Sequence, residues 1–522
     1  MLIIIDFGYN ITKFGRVSES MLRRMKNKGK LAACLAITLA MTACMSSGKN
    51  DMVKLDPDAK GTLKIVYPNE MDFYARYGNA FKAMFPNIEL EIISTSITFT
   101  NASEEEIKEK LKDSIKPPTP EEILEEQQPD VLFLSVDEYE RLAKKGRLYD
   151  LDAVMKRDKF DIDSYHPPFV ELLKSLGDGK LYGLSPTFTS RALFYNKNLF
   201  DQYGVPYPTD DMSWEEVLQL AARFPVHKDG DAPLYGLSLY SEYRTPLSLI
   251  ASIGDAKGLS AFNEEDATFN IDTPEWKRIF QTVIDGYKSG SIALPQSDNG
   301  SNTMGLTVYS GQQMGEMIGV NPGSAKFQDG QAAMAIDEAT LMDTMLQAKR
   351  MGGKIVVEDI KGSSMHISHG DGSNPGEPFD WDVVSLPVDP SMPDVAGGLR
   401  LNNLIAINAS SANLSAAWEF MKLVNGEKMS KTGLSAIQGL STRTALKKNV
   451  EGKNIDAFYA HGVNMQPKFE FSFAIFDWDF SEFVSARIRK VVDGEETLDA
   501  AIAAIQAEGR VVWNRIVNEN PQ

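Results

Sequence analysis

The sequence predicts an α/β fold with a parallel sheet, because strand-like and helical segments alternate along the chain after residue 60. Residues 63–67 (LKIVY), 88–93 and 131–134 (VLFL) are short apolar segments of strand length. A segment with helical character follows the first and the third of them. In a sheet of this kind, ligands bind beyond the carboxyl ends of the strands. Candidate binding residues are therefore expected directly after each strand.

The helix between the first two predicted strands is indicated by apolar residues at helical spacing, which form one stripe. These residues are Phe73, Tyr77, Ala80, Phe81 and Met84. Pro86 and Asn87 end this helix. A second helix is predicted over residues 137–145 after the third strand, and Gly146 closes it.

Residues 103–128 are strongly charged, and their helical spacing is broken by PPTP at residues 117–120. This composition predicts an exposed helical excursion whose charged side chains form a solvated face, not a binding site. Two later helices have polar start signals. Ser213 with Glu216 three residues on forms a capping box for WEEVLQLAARF. Residues 408–413 precede LSAAWEFMKLV, which Asn425 and Gly426 close.

The composition limits the partners and the size of the fold. The chain has 522 residues, a formal net charge of −18 and 43% hydrophobic residues. Residues 1–44 carry seven Lys or Arg and two Asp or Glu, so the remainder stands at −23. That excess of acid argues against nucleic acid or an anionic membrane face as a partner. The apolar share suffices for sizeable cores without disulfides, in three domains or two large lobes.

Residues 21–44 predict a lipoprotein signal peptide. Residues 21–30 are basic, residues 31–43 are uncharged and largely apolar, and Cys44 follows directly. The stretch MTAC that ends at Cys44 resembles a bacterial lipobox, at which cleavage leaves a cysteine that carries lipid. Acylation of Cys44 would anchor the protein to the cell membrane. The alternative is an ordinary secreted protein with a chance cysteine.

The segments on either side of this signal have simpler interpretations. Met21 begins a better signal peptide than Met1, so residues 1–20 are interpreted as an upstream extension, and Met25 is another candidate start. Residues 45–60 are polar and predict a flexible tether between the lipid and the fold.

A series of motifs resembles the bacterial extracellular solute-binding proteins of the maltose-binding type (family 1). They occur in the same order as in that family and cover nearly all of residues 61–520. The motifs are GKLYGLSP at 179–186, ALFYNKNLF at 192–200, GVPYP at 204–208, WEE at 214–216, DGQAAMAI at 329–336, INASSAN at 407–413, WEF at 418–420 and LSTR at 440–443. Each motif is weak alone, and their order carries the resemblance.

The resemblance implies a two-lobe periplasmic-binding-protein-like α/β fold with three interlobe crossings and a ligand cleft at the hinge. Lobe 1 is expected to comprise residues 61–188 and 400–440, and lobe 2 residues 189–399 and 441–522. The expected crossing segments are residues 186–192, 397–403 and 439–446. Gly397, Gly398 and Gly439 can absorb the backbone change of a closing hinge, although an ordinary loop is the alternative for each.

A sugar-like ligand requires aromatic rings against its C–H faces and carboxylates, amides or guanidinium groups for its hydroxyls. The candidate binding residues follow predicted strands or lie at a crossing. They are Asn69, Glu70 and Asp137 from lobe 1, Tyr240, Tyr243, Arg244, Asp337 and Glu338 from lobe 2, and Arg400 and Asn402 at the second crossing. Asp337 and Glu338 are expected just after the strand AAMAI, where the family often presents a ligand contact.

Each candidate also has a structural interpretation. The two tyrosines can pack in the core or at its rim. Arg244 can form a surface ion pair. Asp137, Glu138, Asp337 and Glu338 can cap the helices that follow them. The family usually has an aromatic residue soon after the strand of Asp337, whereas this chain continues with ATL, so the length of the saccharide stays open.

Other chemistries have little support in the sequence. Phosphate-binding, nucleophile-elbow and zinc-protease motifs are absent. Asp371, Asn374, Asp380 and Asp382 follow HISH and could hold a divalent ion, but their spacing does not match a calcium loop, and a solvent loop is the preferred interpretation. No metal and no cofactor are expected.

The resemblance implies the substrate-binding lipoprotein of an ABC importer. Such a protein is expected to be a monomer that closes two lobes around a solute, here a mono- or oligosaccharide, and delivers it to permease subunits in the membrane. One alternative is an extracytoplasmic glycan-processing enzyme with two carboxylates facing a cleft, such as Asp477 and Asp479. Another is a ligand sensor for a two-component system, which the sequence does not distinguish from an importer.

Overall fold

The computed structural model describes residues 54–98, 118–225, 233–239, 246–263, 268–293, 307–309, 326–350, 379–393, 400–402, 404–431, 439–447, 449–450, 452–462 and 478–519. Residues Lys54–Gln522 cluster as one compact unit. None of the helices in these ranges is long and apolar enough to cross a membrane.

The strands fall in three main sheets and two short ladders. In chain order they are β1 Gly61–Tyr67, β2 Ile88–Ser94, β3 Ser96–Thr98, β4 Val131–Leu134, β5 Gly183–Leu184, β6 Thr187–Thr189, β7 Arg191–Asn196, β8 Tyr235–Leu239, β9 Phe262–Asn263, β10 Thr268–Phe269, β11 Thr307–Tyr309, β12 Ala332–Glu338, β13 Trp381–Val384, β14 Arg400–Asn402, β15 Leu404–Ile407 and β16 Leu440–Ser441. The two short ladders are β9 with β10 and β3 with β11.

The helices cover the faces of these sheets. In chain order they are α1 Glu70–Phe73, α2 Asn79–Met84, α3 Pro120–Glu126, α4 Val136–Lys144, α5 Asp152–Asp158, α6 Pro167–Leu176, α7 Lys197–Tyr203, α8 Trp214–Ala221, α9 Pro246–Ala256, α10 Pro274–Ser289, α11 Ala339–Arg350, α12 Leu414–Val424, α13 Glu427–Lys431, α14 Trp478–Val492 and α15 Leu498–Glu519. A π turn, Tyr74–Gly78, joins α1 to α2, and short 3-10 helices span Thr444–Leu446 and Ile455–Tyr459.

The first sheet has the strand order β2-β1-β4-β15-β5. Strand β1 lies between β2 and β4 and runs parallel to both, whereas β15 is antiparallel to β4. The predicted parallel sheet is therefore confirmed for its first three strands. An aromatic core packs behind it: the Phe420 ring of α12 lies 5.7 Å from Phe73 and 5.6 Å from Phe81.

The second sheet has the order β13-β7-β12-β8, with β12 parallel to β8 and antiparallel to β7. Its core is a separate cluster of buried side chains from the strands and from α8, α9, α10, α14 and α15. Ser213 and Glu216 form the predicted capping box at the start of α8, with Ser213 N–H donating to Glu216 Oε2 at 2.7 Å. The two sheets thus have separate cores, as a two-lobe protein requires.

The third sheet is made entirely from the three predicted crossing segments. Its order is β14-β6-β16, and both outer strands are antiparallel to β6. Gly439, just before β16, has φ of 140°, a conformation that side chains rarely adopt. Gly397 and Gly398 lie outside the described residues. The pairing holds the three segments side by side, while the lobe boundaries stay a prediction.

Two sequence expectations about lobe 1 are corrected. Met84 is 48% exposed, and Phe85 is buried in its place. The π turn before α2 adds one residue to the helical repeat, which moves the apolar stripe by one position. The charged excursion was expected to be exposed. In its described end, α3, Glu122, Glu125 and Glu126 are exposed as predicted, but Ile123 and Leu124 are buried, so one face of this helix packs inward. Residues 103–117 of the excursion lie outside the described residues.

Candidate functional site

The candidate site of lobe 1 lies at the carboxyl ends of β1, β2 and β4. The chain leaves β1 for β2 on one side and later returns to β4 on the other, so the strand order reverses at β1. In open α/β sheets, ligands bind in the crevice that forms beyond the strands at such a reversal. The site can be built from the segments that leave these three strands.

A hydrogen-bond network of Tyr67, Asp72 and Arg76 holds the turn that follows β1. Tyr67 O–H donates to Asp72 Oδ2 at 2.8 Å, and Arg76 Nε donates to the same carboxylate at 2.7 Å. Burial raises the pKa of Tyr67 well above its usual value, so it stays a donor. Burial lowers the pKa of Arg76, but hydrogen bonding to Asp72 outweighs this effect and raises it overall. The network fixes the segment that carries Asn69 and Glu70.

Asn69 and Glu70 have different roles in that segment. Asn69 is the N-cap of α1, and its Oδ1 accepts from Asp72 N–H at 3.0 Å. Glu70 lies in the first helical turn and is exposed. Met71 beside it is 81% exposed, which is unusual for a large apolar side chain. Glu70 and Met71 therefore face solvent at the edge where a ligand is expected.

The segment after β4 begins α4 with a capping box. Ser135 N–H donates to Glu138 Oε2 at 2.8 Å, and Glu138 N–H donates to Ser135 Oγ at 3.3 Å. The capping interpretation of Glu138 is thus correct. Burial raises the pKa of Glu138, and hydrogen bonding from Ser135 partly offsets it. Asp137 is exposed in the first turn of the same helix.

Lobe 2 contributes charged residues that are deeply buried. Asp337 and Glu338 are 2% and 4% exposed and form the last two positions of β12. The prediction that they follow the strand is wrong, because pairing with β7 continues to Arg191. Arg191 stands directly opposite Glu338 in the ladder and is 5% exposed. A guanidinium and a carboxylate are cross-strand neighbours at this edge.

Arg191 is a residue that the sequence analysis missed. It is the one charged residue in RALFYN, a strand otherwise composed of buried apolar and polar residues. A charge at the first position of such a strand, directly after a crossing segment, is a signal that could have nominated it. Thr95, which follows β2 at the lobe 1 edge, was not among the sequence candidates either.

The remaining candidates are only partly described. Arg400 and Asn402 stand opposite Thr189 and Thr187 in the crossing sheet. Tyr240, Tyr243, Arg244 and Cys44 lie outside the described residues, as do Asp371 and Asn374. Asp382 and Asp380 lie near lysines instead: Lys197 Nζ is 3.4 Å from Asp382 Oδ2, and Lys453 Nζ is 3.1 Å from Asp380 Oδ1. Within the described ranges, no cluster of His, Cys, Asp or Glu could hold a metal ion.

Comparison with protein families identifies the class of protein. The model of the bacterial extracellular solute-binding protein family matches residues 67–431. The chain therefore belongs to this family, and the resemblance seen in the sequence is confirmed. Such proteins bind solutes outside the cytoplasm and are not enzymes as a class.

Solved structures show the same fold. An ABC substrate-binding protein from Listeria monocytogenes, solved with cycloalternan, is 18% identical with a TM-score of 0.52, covering 88% of this chain and 100% of that one. A sugar transporter protein from Rhizobium etli, in an open conformation, is 19% identical with a TM-score of 0.53, covering 86% and 98%. The fold is therefore the two-lobe periplasmic-binding-protein-like fold with three interlobe crossings.

Two further proteins are similar. A solute-binding protein from Agrobacterium vitis, solved with D-mannitol, is 18% identical with a TM-score of 0.51, covering 89% of this chain and 100% of that one. A protein of Brucella abortus that carries the name of a binding protein is 30% identical over 134 residues, which are 24% of this chain. The chain spans about a third (31%) of the length of the curated relatives it matches.

Proposed function

We propose that this protein is the substrate-binding lipoprotein of an ABC importer and that its solute is a carbohydrate. It closes its two lobes around the solute and delivers it to permease subunits, while lipid on Cys44 anchors it to the cell membrane. The observation that carries the proposal is the pair of polar strand ends, one in each lobe, joined by a sheet made of three crossing strands. A hinge of this kind allows the two lobes to move relative to each other as rigid bodies.

The chemistry of the two edges supports a hydroxylated ligand. Glu70 and Asp137 are exposed carboxylates at the lobe 1 edge, and Asp337, Glu338 and Arg191 lie at the lobe 2 edge. Carboxylates and guanidinium groups form directional hydrogen bonds with hydroxyls, and closure strengthens these bonds by excluding water. The side chains of Tyr240, Tyr243, Arg244, Arg400 and Asn402 are proposed as further contacts on the basis of the sequence alone.

The proposal is tested by thermal unfolding of the purified protein with mono- and oligosaccharides, polyols and peptides. A ligand that binds only the folded form at 100 times its Kd adds about 2.7 kcal/mol to the free energy of unfolding. We expect a selective rise in Tm with a sugar or polyol that is recovered unchanged by chromatography. A rise with peptides alone would contradict the carbohydrate assignment, and conversion of the sugar would indicate an enzyme.

The anchor is tested separately in cells. The substitution Cys44→Ser removes the acceptor of the lipid, so we expect the protein to move from the membrane fraction to the soluble or secreted fraction. Membrane association that survives this substitution would contradict a lipid anchor on Cys44. Loss of uptake of the identified solute on deletion of the gene distinguishes an importer from a sensor.

A further inference from the structure

A small cavity lies at the reversal point of the lobe 1 sheet, at the carboxyl ends of β1, β2 and β4. Its apolar walls are formed by Pro68, Phe133, Pro120 and Ile123, and its polar rim by Thr95, Ser135 and Glu138. The Tyr67 and Phe133 rings pack edge to face behind it, with centroids 4.8 Å apart. Helix α3, the end of the charged excursion, therefore provides one wall of this cavity.

The size of the cavity limits what can enter. Its volume is about 20 Å³, whereas one water molecule requires about 10–15 Å³. A sugar ring is too large for this space. One hydroxyl-sized group at the end of a short arm fits it.

The polar groups of the rim have unused hydrogen-bonding capacity. Glu138 is 9% exposed, and Ser135 N–H is bonded to its Oε2, while no described group bonds to Oε1. The backbone N–H of Thr95 donates to Tyr67 O, but the Thr95 hydroxyl has no hydrogen-bond partner among the described residues. An incoming hydroxyl can therefore donate to Glu138 and accept from Thr95. Its carbon would contact the apolar walls.

We propose that this cavity is a subsite for the hydroxymethyl arm of a sugar or polyol. The inference rests on the proposed carbohydrate function and names a feature of the substrate: a primary alcohol on a carbon arm. A methyl group in place of the hydroxymethyl leaves Thr95 and Glu138 without partners in a closed site. A site built to bond a hydroxyl rejects an analogue that lacks it much more strongly than a purely apolar pocket does.

The test compares probes that differ only in this arm. D-glucose, D-galactose, D-mannose and maltose are each titrated calorimetrically beside the analogue whose terminal hydroxymethyl is a methyl group, with D-xylose and xylobiose as probes without the arm. We expect each hydroxymethyl probe that binds to do so at least tenfold more tightly than its analogue. The isosteric variant Thr95→Val should reduce this ratio several-fold, and the control Thr209→Val, at an exposed loop threonine, should not.

Five outcomes decide the proposal. A ratio that falls in the Thr95→Val protein supports the subsite. Equal affinities for a probe and its methyl analogue overturn the subsite but leave the carbohydrate function intact, as does tighter binding of xylose or xylobiose. A large ratio that Thr95→Val leaves unchanged means that the arm is bound elsewhere and also overturns it. Failure of every sugar and every polyol to bind, in calorimetry and in thermal unfolding, overturns both the subsite and the proposed function.

Discussion

Arg443 shows how much one buried side chain contributes to the third crossing. Its Nε and Nη2 donate to Asn425 O at 3.1 and 3.0 Å, and its Nη1 donates to Asp161 O at 3.1 Å and also to Ser164. The guanidinium lies 4.6 Å from the Tyr165 ring centroid. Asp161 is 282 residues away in sequence. Arg443 therefore fastens the third crossing segment to residues of lobe 1.

Arg443→Lys is expected to lower the free energy of unfolding by about 2 kcal/mol, and Arg443→Ala by about 3 kcal/mol or more. A lysine cannot reproduce the planar fork, and an alanine removes both guanidinium donors from the buried Asn425 carbonyl, which then keeps only the Tyr165 hydroxyl among its described side-chain donors. Urea unfolding measures both losses. The control is Arg147→Lys, because Arg147 forms only a partly exposed ion pair at 3.6 Å with Glu125 and should change stability by about 0.5 kcal/mol or less. A loss for Arg443→Lys as small as that of the control would contradict the role of the fork.

His166 is the histidine in a cluster of four rings at the hinge. The centroid of its ring lies 5.2 Å from that of Phe169 and 5.6 Å from that of Tyr459. Phe188 of β6 contacts both of these rings, at 4.5 Å from Phe169 and 5.1 Å from Tyr459. Burial lowers the pKa of His166, and the nearby charge of Lys447 adds to this effect. Its Nε2 is buried without a hydrogen bond among the described residues. The surrounding rings therefore favour the neutral form of His166.

The sign of the pH dependence follows from the lowered pKa. The unfolded chain takes up a proton near pH 6.5, whereas the folded protein does so only at lower pH, so His166 lowers stability as the pH falls below about 6.5. We expect the native protein to lose more unfolding free energy between pH 7 and pH 5 than the variant His166→Phe, by at most about 1.4 kcal/mol per pH unit. Urea unfolding at both pH values measures it. Equal losses in the two proteins would rule out this role of His166.

At the scale of elements, close helix packing in lobe 2 depends on one glycine. A Cβ at Gly254 in α9 would lie 2.2 Å from Trp276 Cη2 of α10, and Trp276 is 2% exposed. Gly254→Ala gains up to about 1 kcal/mol of helix propensity but overpacks the contact. We expect a net loss of about 1–3 kcal/mol in unfolding free energy, measured by urea unfolding.

Gly61→Ala is the matched control, since nothing lies within 4 Å of a Cβ built there. It should be neutral or slightly stabilising, because alanine restricts the unfolded chain more than glycine does. If Gly254→Ala is as well tolerated as Gly61→Ala, the two helices can separate without cost and the packing argument is incorrect.

At the scale of the whole molecule, the crossing sheet makes lobe closure the expected response to ligand. A ligand shifts this equilibrium only if it contacts the closed state more favourably than the open one. We expect small-angle X-ray scattering to show a smaller radius of gyration with the sugar that raises the Tm. A sugar that leaves the Tm unchanged is the control and should leave the scattering curve unchanged. Identical curves with and without a bound ligand would contradict closure.

Much of the local structure follows from the sequence, because it depends on neighbouring residues. Strand β4 was predicted with its observed bounds, and the Ser213 capping box and the end of α12 at Asn425 were also correct. Hydrophobic periodicity, helix caps and terminal glycines depend on residues a few positions apart, so they can be recognised in the sequence without knowledge of the fold. The ordered family motifs likewise determined the two-lobe class and the three crossings.

The tertiary structure decided what depends on distant pairing. No local signal shows that Arg191 faces Glu338, or that α3 walls a cavity at the ends of β1 and β4. The burial of Asp337 was missed because strand length is set by the partner strand and not by the apolar run AAMAI alone. The sequence by itself thus determined the class of this protein and its local elements. Strand register, which joins residues far apart in the chain, decided which side chains meet at the candidate site.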